Sequence, residues 1–518
     1  MNCTKVIYDK LSDYIDYFKI ICNEFNPLGK LFKTSSSYYI YDTGTNKVMD
    51  CNEIEYYILD SIMKNNVDTL VELKEKFNEN QFFQALENVK ASIENENILK
   101  SQKEPKFYSP SHFENLDNML DNKFRQVVLE LTEKCNLRCR YCIYNDDYDE
   151  KRNHGTKNMS KEVAIAAIDY ANSHGDSEKG ISVSFYGGEP LVNFDLLKYC
   201  IEYSQKTIID KKLSFSMTTN GTLMTKEIAE FLASIENLSV VCSIDGPKDI
   251  HDSYRKYING NGTFNDAIRG LKYLVLAFGE KAKTQLSLSM VFTPPFTSEK
   301  LIEMQEFFNS LDWLPKEINK LITYPSPGTL PKDIVLTEEE QQNNALGDWS
   351  KTLYLDTIKN NTDINFFTKK IIEDSFVILQ KRPILDDPSL GYPLNGCCIP
   401  GSRKLYITVN GDFLVCERIA GSPIIGNVFT GIDKEKIKNN LVEEYAHKSI
   451  SKCGNCWAAR LCSICYSSCY TDGKFDIEKK LSNCDGVRQL LLENLSLYHE
   501  CLEINEKKLE YLNDAVMI

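Results

Sequence analysis

The sequence predicts an α/β fold: a partial (β/α)6 barrel of the TIM type, preceded by a small winged-helix-like unit and followed by a cysteine-rich extension. Three observations predict it. Short apolar runs alternate with helix-period stretches through the middle of the chain. A hairpin signal and three helical patterns stand before them. Cysteines crowd into two places, 135–142 and 397–484. Repeated β–α units imply a parallel sheet, and such sheets place their chemistry at the C-terminal ends of the strands.

In the first unit, residues 1–105, "SYYIYDTGTNKVMDC" (Ser37–Cys51) reads as two strands joined by a turn at Thr43–Asn46. Apolar residues then recur at helical spacing: Ile54, Tyr57, Ile58 and Ile62; Leu70, Leu73 and Phe77; Phe82, Phe83, Leu86, Val89 and Ile93. A strand pair with three short helices is a winged-helix plan. The polar residues 106–123 read as a linker. From 124 to 325, the runs "QVVLELT", "ISVSFYG", "LSFSMTT", "LSVVCSI", "QLSLSMVF" and "KLITYP" read as six strands, with helices such as "SKEVAIAAIDYANSH" and "TKEIAEFLASI" between them. Residues 326–396 are rich in Pro and Asp and read as a bridging segment beside the active site, with one helix over Glu338–Asn360. Residues 397–486 contain "RKLYITVNGDFLVCERI", two strands turning at Asn410-Gly411. A C-terminal helix is expected over 487–512 within the last unit, 487–518, with Leu490, Leu491, Leu495, Tyr498, Leu502 and Leu509 on its apolar face.

Composition narrows the function. Hydrophobic residues at 42% and charged residues at 26% describe a globular chain rather than a disordered one. Met1–Tyr14 lacks the apolar region of a signal peptide, and no run approaches the ~20 apolar residues of a membrane span. A cytoplasmic protein with no membrane partner is expected. The net charge of −14 argues against nucleic acid, whose phosphates require a basic surface. Eighteen cysteines in a reducing compartment point to metal rather than disulfides.

"LTEKCNLRCRYC" (Leu131–Cys142) places Cys135, Cys139 and Cys142 at the end of the first barrel strand. A four-iron cluster takes four thiolates, so three leave one iron open for a substrate or cofactor. Zinc, the other reading of clustered thiols, normally takes a fourth protein ligand at a structural site. The spacing Cys-x3-Cys-x2-Cys, with Tyr141 before the last cysteine, resembles the signature of the radical S-adenosylmethionine (radical SAM) superfamily. The resemblance continues at later strand ends in "YGGEP" (Tyr186–Pro190), "TTNGTLM" (Thr218–Met224) and "SIDGPKDIHDSYR" (Ser243–Arg255). It implies that the open iron chelates the methionyl end of SAM. Tyr186, Gly187, Gly188, Glu189, Asn220, Ser243, Asp245 and Arg255 are then the cofactor-binding candidates. The implied chemistry is reductive cleavage of SAM to a 5′-deoxyadenosyl radical, with the protein orienting and shielding the cofactor.

The second cysteine territory resembles the SPASM extension of radical SAM enzymes, which carries two auxiliary four-iron clusters. By that resemblance Cys453, Cys456, Cys462 and Cys484 hold one cluster. Cys398, Cys416 and Cys465 hold the other, with Cys397, Cys469 or an open site as the fourth position. The family has three residues between the positions matched by Cys462 and Cys465, and this chain has two. Structural zinc ribbons are the competing reading of these Cys-x2-Cys knuckles. Glu417, directly after Cys416, sits where sulfatase-maturing relatives place an acidic residue, and a carboxylate there can take a proton.

The first unit resembles the leader-peptide recognition domains of enzymes that modify ribosomally made peptides. Such a domain captures its ligand as an added strand, here on "SYYIYD" or "KVMDC", with the helix near Phe82–Ile93 as a wall. The whole resembles the sactipeptide and ranthipeptide synthases, which join a cysteine sulfur to an α- or β-carbon. The implied partners are a precursor peptide and an electron donor such as flavodoxin or ferredoxin. Side-chain oxidation of the sulfatase-maturase kind, other peptide cross-links, and a non-catalytic electron-transfer or scaffold role are the alternatives.

Overall fold

The computed structural model describes residues 2–145, 153–326, 328–337, 348–362, 365–394, 396–418 and 421–514. It opens on a helix, Asn2–Glu24, that the mixed charges of this segment hide. Leu11, Tyr14, Ile15, Phe18, Ile21 and Cys22 recur three or four residues apart and are buried on one face of it. A three-stranded antiparallel sheet follows, β1 (Gly29–Lys33), β2 (Tyr38–Asp42) and β3 (Val48–Cys51), in the order β1-β2-β3. Helices Glu53–Met63, Leu70–Lys74 and Glu79–Glu96 complete the unit. The first starts at a capping box, with Asn52 accepting from the Glu55 amide and the Glu55 carboxylate accepting from that of Asn52.

β1 changes one expectation. The segment "SYYIYD" is β2, bonded on both sides, so it presents no edge to a peptide. The sheet edges are β1 and β3. The β1–β2 corner is docked on the C-terminal helix, where Thr34 and Tyr39 donate to Glu503 and Ser35 donates to Glu500. This leaves β3, the "KVMDC" strand. Asp42 N donates to Lys47 O. Antiparallel alternation from that bond turns the Val48 and Asp50 amides outward.

The expected linker is not a loose tether. Its β4 (Lys106–Phe107) pairs in parallel with β11 (Gly391–Tyr392), and Leu116 and Leu120 of helix Leu116–Asn122 are buried in the main core. Polar neighbours masked those few apolar anchors.

Six parallel strands form the centre: β5 (Gln126–Thr132), β6 (Ile181–Gly187), β7 (Leu213–Thr219), β8 (Leu238–Ser243), β9 (Leu286–Val291) and β10 (Asn319–Thr323). Each coincides with one of the six apolar runs, because strands packed against helices read as apolar stretches. Beyond β5 the sheet continues into β12 (Leu405–Ile407), parallel to it, and β13 (Phe413–Leu414). The Asn410-Gly411 hairpin of the cysteine-rich region is therefore part of the barrel sheet, Leu405 lying opposite Val127.

The helix expected over Glu338–Asn360 is described as Asp348–Asn360, and its first part falls outside the described residues. A second helix, Phe366–Gln380, went unread in the sequence. Its Phe376 and Leu379 pack in one core with Tyr354 and with Tyr498 of the C-terminal helix, which runs Cys484–Asn505 and then tightens into a 3-10 turn over Glu506–Asn513. No helix among the described residues is long and apolar enough to cross a membrane.

Candidate active site

The three-cysteine loop leaves the end of β5 and crosses the C-terminal ends of the neighbouring strands. Its backbone is tied to the segment carrying Arg255: Arg138 N donates to Lys256 O at 2.7 Å, and Arg140 N to Tyr254 O at 2.9 Å. From the other side, Gly188 N donates to Thr132 O and Glu189 N to Lys134 O, both at 2.9 Å. The glycines are required by this approach. A Cβ on Gly188 would lie 2.2 Å from Lys134 O, and Gly187 has φ of +127° with Thr132 O at 2.3 Å from its would-be Cβ.

The Glu189 carboxylate is wholly buried and accepts from Asn220 N, Thr219 Oγ1 and Leu191 N at 2.8, 2.8 and 3.2 Å. Burial raises its pKa against these donors. It fastens the end of β6 to that of β7. Asn220 Nδ2 reaches Asn136 Oδ1 at 2.9 Å and Cys135 Sγ at 4.0 Å. Arg255 is only 7% exposed, a buried charge rather than a surface one. Its Nε donates to Asp245 Oδ2 at 3.0 Å, and the Tyr141 hydroxyl donates to the same oxygen at 2.5 Å.

Cys135, Cys139, Cys142, Tyr186, Gly187, Gly188, Glu189, Asn220, Ser243 and Arg255 line one cavity of about 250 Å³. Asp245 stands behind that lining and holds Arg255 and Tyr141. Sequence reasoning missed Arg418, Tyr144, His154 and Tyr324, which also line the cavity. Tyr324 follows the last strand, so the strand-end rule could have found it. Arg418 gave no signal beyond its place two residues after Cys416.

Three thiols around one cavity fit an iron–sulfur group, which is held by cysteine thiolates. Amides point at two of the sulfurs: Leu137 N to Cys135 Sγ at 3.4 Å and Tyr144 N to Cys142 Sγ at 3.5 Å. Such donors to sulfur are a lever on cluster potential. Burial pushes the Cys135 thiol up to about 12, with Glu189 adding to the rise.

A second cavity, of about 270 Å³, is lined by Cys453, Cys456, Cys462 and Cys484 together. The remaining candidates are arranged less evenly. Cys465 lies within electrostatic range of Cys416, Cys397 and Cys469. Cys397 is buried, its sulfur hydrogen-bonded by the Tyr445 hydroxyl, and burial pushes its thiol up to about 12. Cys398 is exposed, with Arg403 Nη1 donating to its sulfur at 3.8 Å. Glu417 is paired with Lys404 at 3.2 Å and is not among the residues lining the first cavity.

Residues 129–308 match the model of the radical SAM superfamily. The chain is similar to that superfamily over these residues. The match spans the three-cysteine loop and the strand ends that surround it. A cysteine-type anaerobic sulfatase-maturating enzyme of Clostridium novyi is 25% identical over 385 residues, 71% of this chain and 95% of that one. A radical SAM cyclopropyl synthase, TigE, of Paramaledivibacter caminithermalis is 29% identical over 161 residues, 29% of this chain and 33% of that one. The solved structure of anSMEcpe with bound AdoMet and the Cp18Cys peptide shares the fold at a TM-score of 0.51 and 20% identity, covering 76% of this chain and 99% of that one.

Proposed function

We propose that this protein is a radical SAM peptide maturase that installs thioether bridges, cysteine sulfur to α- or β-carbon, in a ribosomally made precursor peptide. One observation carries the reading. The hairpin of the cysteine-rich region is built into the barrel sheet, so the loop Cys416–Glu417–Arg418 delivers Arg418 to the wall of the cavity that holds Cys135, Cys139 and Cys142. Cys416, two residues before Arg418, would then hold its auxiliary group beside the SAM site.

Cys135, Cys139 and Cys142 would hold the SAM-binding cluster; Cys453, Cys456, Cys462 and Cys484 a second; and Cys398, Cys416 and Cys465 a third, with Cys397, Cys469 or an open site as its fourth position. When bound, the cluster with SAM supplies hydrogen-atom abstraction from an unactivated carbon. The chain orients the reactants. The backbone at Gly187 and Gly188 and the carboxylate of Glu189 would face the methionyl end of SAM, and Ser243 and Arg255 would face its ribose or carboxylate. Asp245 keeps the Arg255 guanidinium aimed, which lowers the entropy lost on binding. Glu417, steadied by Lys404, is the proton acceptor nearest Cys416 in sequence. The precursor's leader lies along β3, bonding the outward amides of Val48 and Asp50, with helix Glu79–Glu96 as the wall. A flavodoxin or ferredoxin supplies electrons.

Side-chain oxidation is the second reading, favoured by the sulfatase-maturating relative and by Glu417 beside Cys416. One experiment separates the two. Anaerobically reconstituted protein is incubated with SAM, a reductant and a cysteine-containing precursor peptide encoded beside its gene, and the product is weighed and its thiols counted. Loss of one C–H and one S–H hydrogen per event, with loss of a thiol, is the result expected for a thioether. A mass loss with every other thiol retained and a new aldehyde supports oxidation, and absence of SAM cleavage defeats both.

A further inference from the structure

The second thiol cavity has a charge built into its wall. Lys480, on helix Ile477–Ser482, is 2% exposed, and its ammonium donates to Cys453 Sγ at 3.6 Å. It also stands 4.0 Å from the centroid of the Tyr445 ring and 5.5 Å from that of Phe107. Its partners among the described residues are thus a sulfur and two aromatic faces, none of them a carboxylate. Burying an ammonium without an anionic partner is costly. The position makes physical sense where an anion is to occupy the cavity. A second cation, Arg488, lines the same cavity and bonds Cys456, but it is paired with Asp485 and its side chain is 38% exposed.

We propose that Lys480 is the counter-ion of a four-iron cluster held by Cys453, Cys456, Cys462 and Cys484, and that it raises that cluster's reduction potential. The proposal rests on the assignment of the cavity to a cluster. A cluster ligated by four thiolates is an anion that gains one further negative charge on reduction. A cation beside a ligand sulfur therefore favours the reduced form, and a dry site screens that attraction poorly. Arg488, wetter and shared with Asp485, acts in the same direction with less effect. Lys480 is a positioning and tuning residue rather than a catalytic one.

The test uses the full chain, reconstituted anaerobically, in the Cys135→Ala/Cys139→Ala/Cys142→Ala background, so that iron reports the cysteine-rich region alone. Iron, zinc and sulfide are assayed, and a redox titration is followed by electron paramagnetic resonance. Lys480→Met, which keeps the apolar stem, is expected to retain iron. One signal component should lose about tenfold in its reduced-to-oxidised ratio at a fixed poise, a shift of about 59 mV for a one-electron couple. Lys480→Arg restores the parent ratio, and Arg488→Gln lowers it by a smaller factor. An unchanged midpoint in Lys480→Met with iron retained overturns the proposal. Where Lys480→Met loses its iron, an unchanged midpoint in Arg488→Gln overturns it. A parent without iron, or loaded with zinc, defeats the assignment of the cavity itself and is read from the metal assay.

Discussion

The two thiol-lined cavities solve different problems with the same ligand atom. The first takes its three thiols from one short loop and surrounds them with the buried Glu189 carboxylate, Arg418 and the buried ion pair Arg255–Asp245. The second gathers four thiols from separate turns and faces them with Lys480, a cation that no described carboxylate neutralises. On the proposed assignment the first would leave a ligand position open beside a polar cradle, as a site must that binds and reacts. The second would close its ligand set beside a cation, which suits a group that only gains and loses electrons.

This contrast can be broken most forcefully at Asp245. Asp245→Asn leaves Arg255 buried without its counter-charge, and loss of about 3–5 kcal/mol of stability is expected in denaturant melts, with SAM cleavage abolished. The second cavity should still load iron.

Acid should also separate the two. His251 is buried beneath the ion pair, its Nδ1 accepting from Asp245 N at 3.3 Å, and burial lowers its pKa from 6.5 to about 4. The folded protein resists protonating it while the unfolded chain does not. Stability is therefore full above about pH 6.5 and falls as pH drops toward 4, by up to about 3 kcal/mol. The second cavity has no histidine in its described lining. Between pH 6.5 and 4 the first cavity should loosen first, seen as earlier amide exchange in 248–255 than in 453–462.

Gly188→Ala tests the cradle with little change in composition. Its methyl would meet Lys134 O, so the cysteine loop must shift. SAM cleavage should fall at least tenfold, about 1.4 kcal/mol of activation free energy, while auxiliary iron is unchanged. The smallest effect belongs to Lys480→Met in the iron-free protein. Lost cation–π attraction of about 2 kcal/mol is offset by no longer burying an ammonium, so chemical denaturation should move by about 1 kcal/mol or less. A loss as large as that of Asp245→Asn would erase the distinction between the two charges.

What the sequence makes legible follows from how each feature is encoded. The six barrel strands and the glycine pair are written locally, as apolar runs and as a backbone that must pass close to Thr132 and Lys134. β1 was hidden because "GKLFK" is short and alternates with lysine. Helix Phe366–Gln380 was hidden by the Pro- and Asp-rich residues around it. Cys397 and Cys398 are indistinguishable in sequence, and tertiary packing alone turns one inward and the other to solvent. Arg418 and Lys480 carry no motif. Their importance arises from where the hairpin and a six-residue helix put them, information that no spacing rule holds.

The two cavities are proposed to hold separate groups with separate tasks. The most direct measurement is SAM cleavage together with iron content in Cys135→Ala/Cys139→Ala/Cys142→Ala, set beside the same pair of readings in Cys453→Ala/Cys456→Ala. The first variant is expected to cleave no SAM yet keep its auxiliary iron, and the second to lose the iron of its own cavity while the three-cysteine loop stays loaded. SAM cleavage surviving in the first variant, or loss of all iron from it, would contradict that separation.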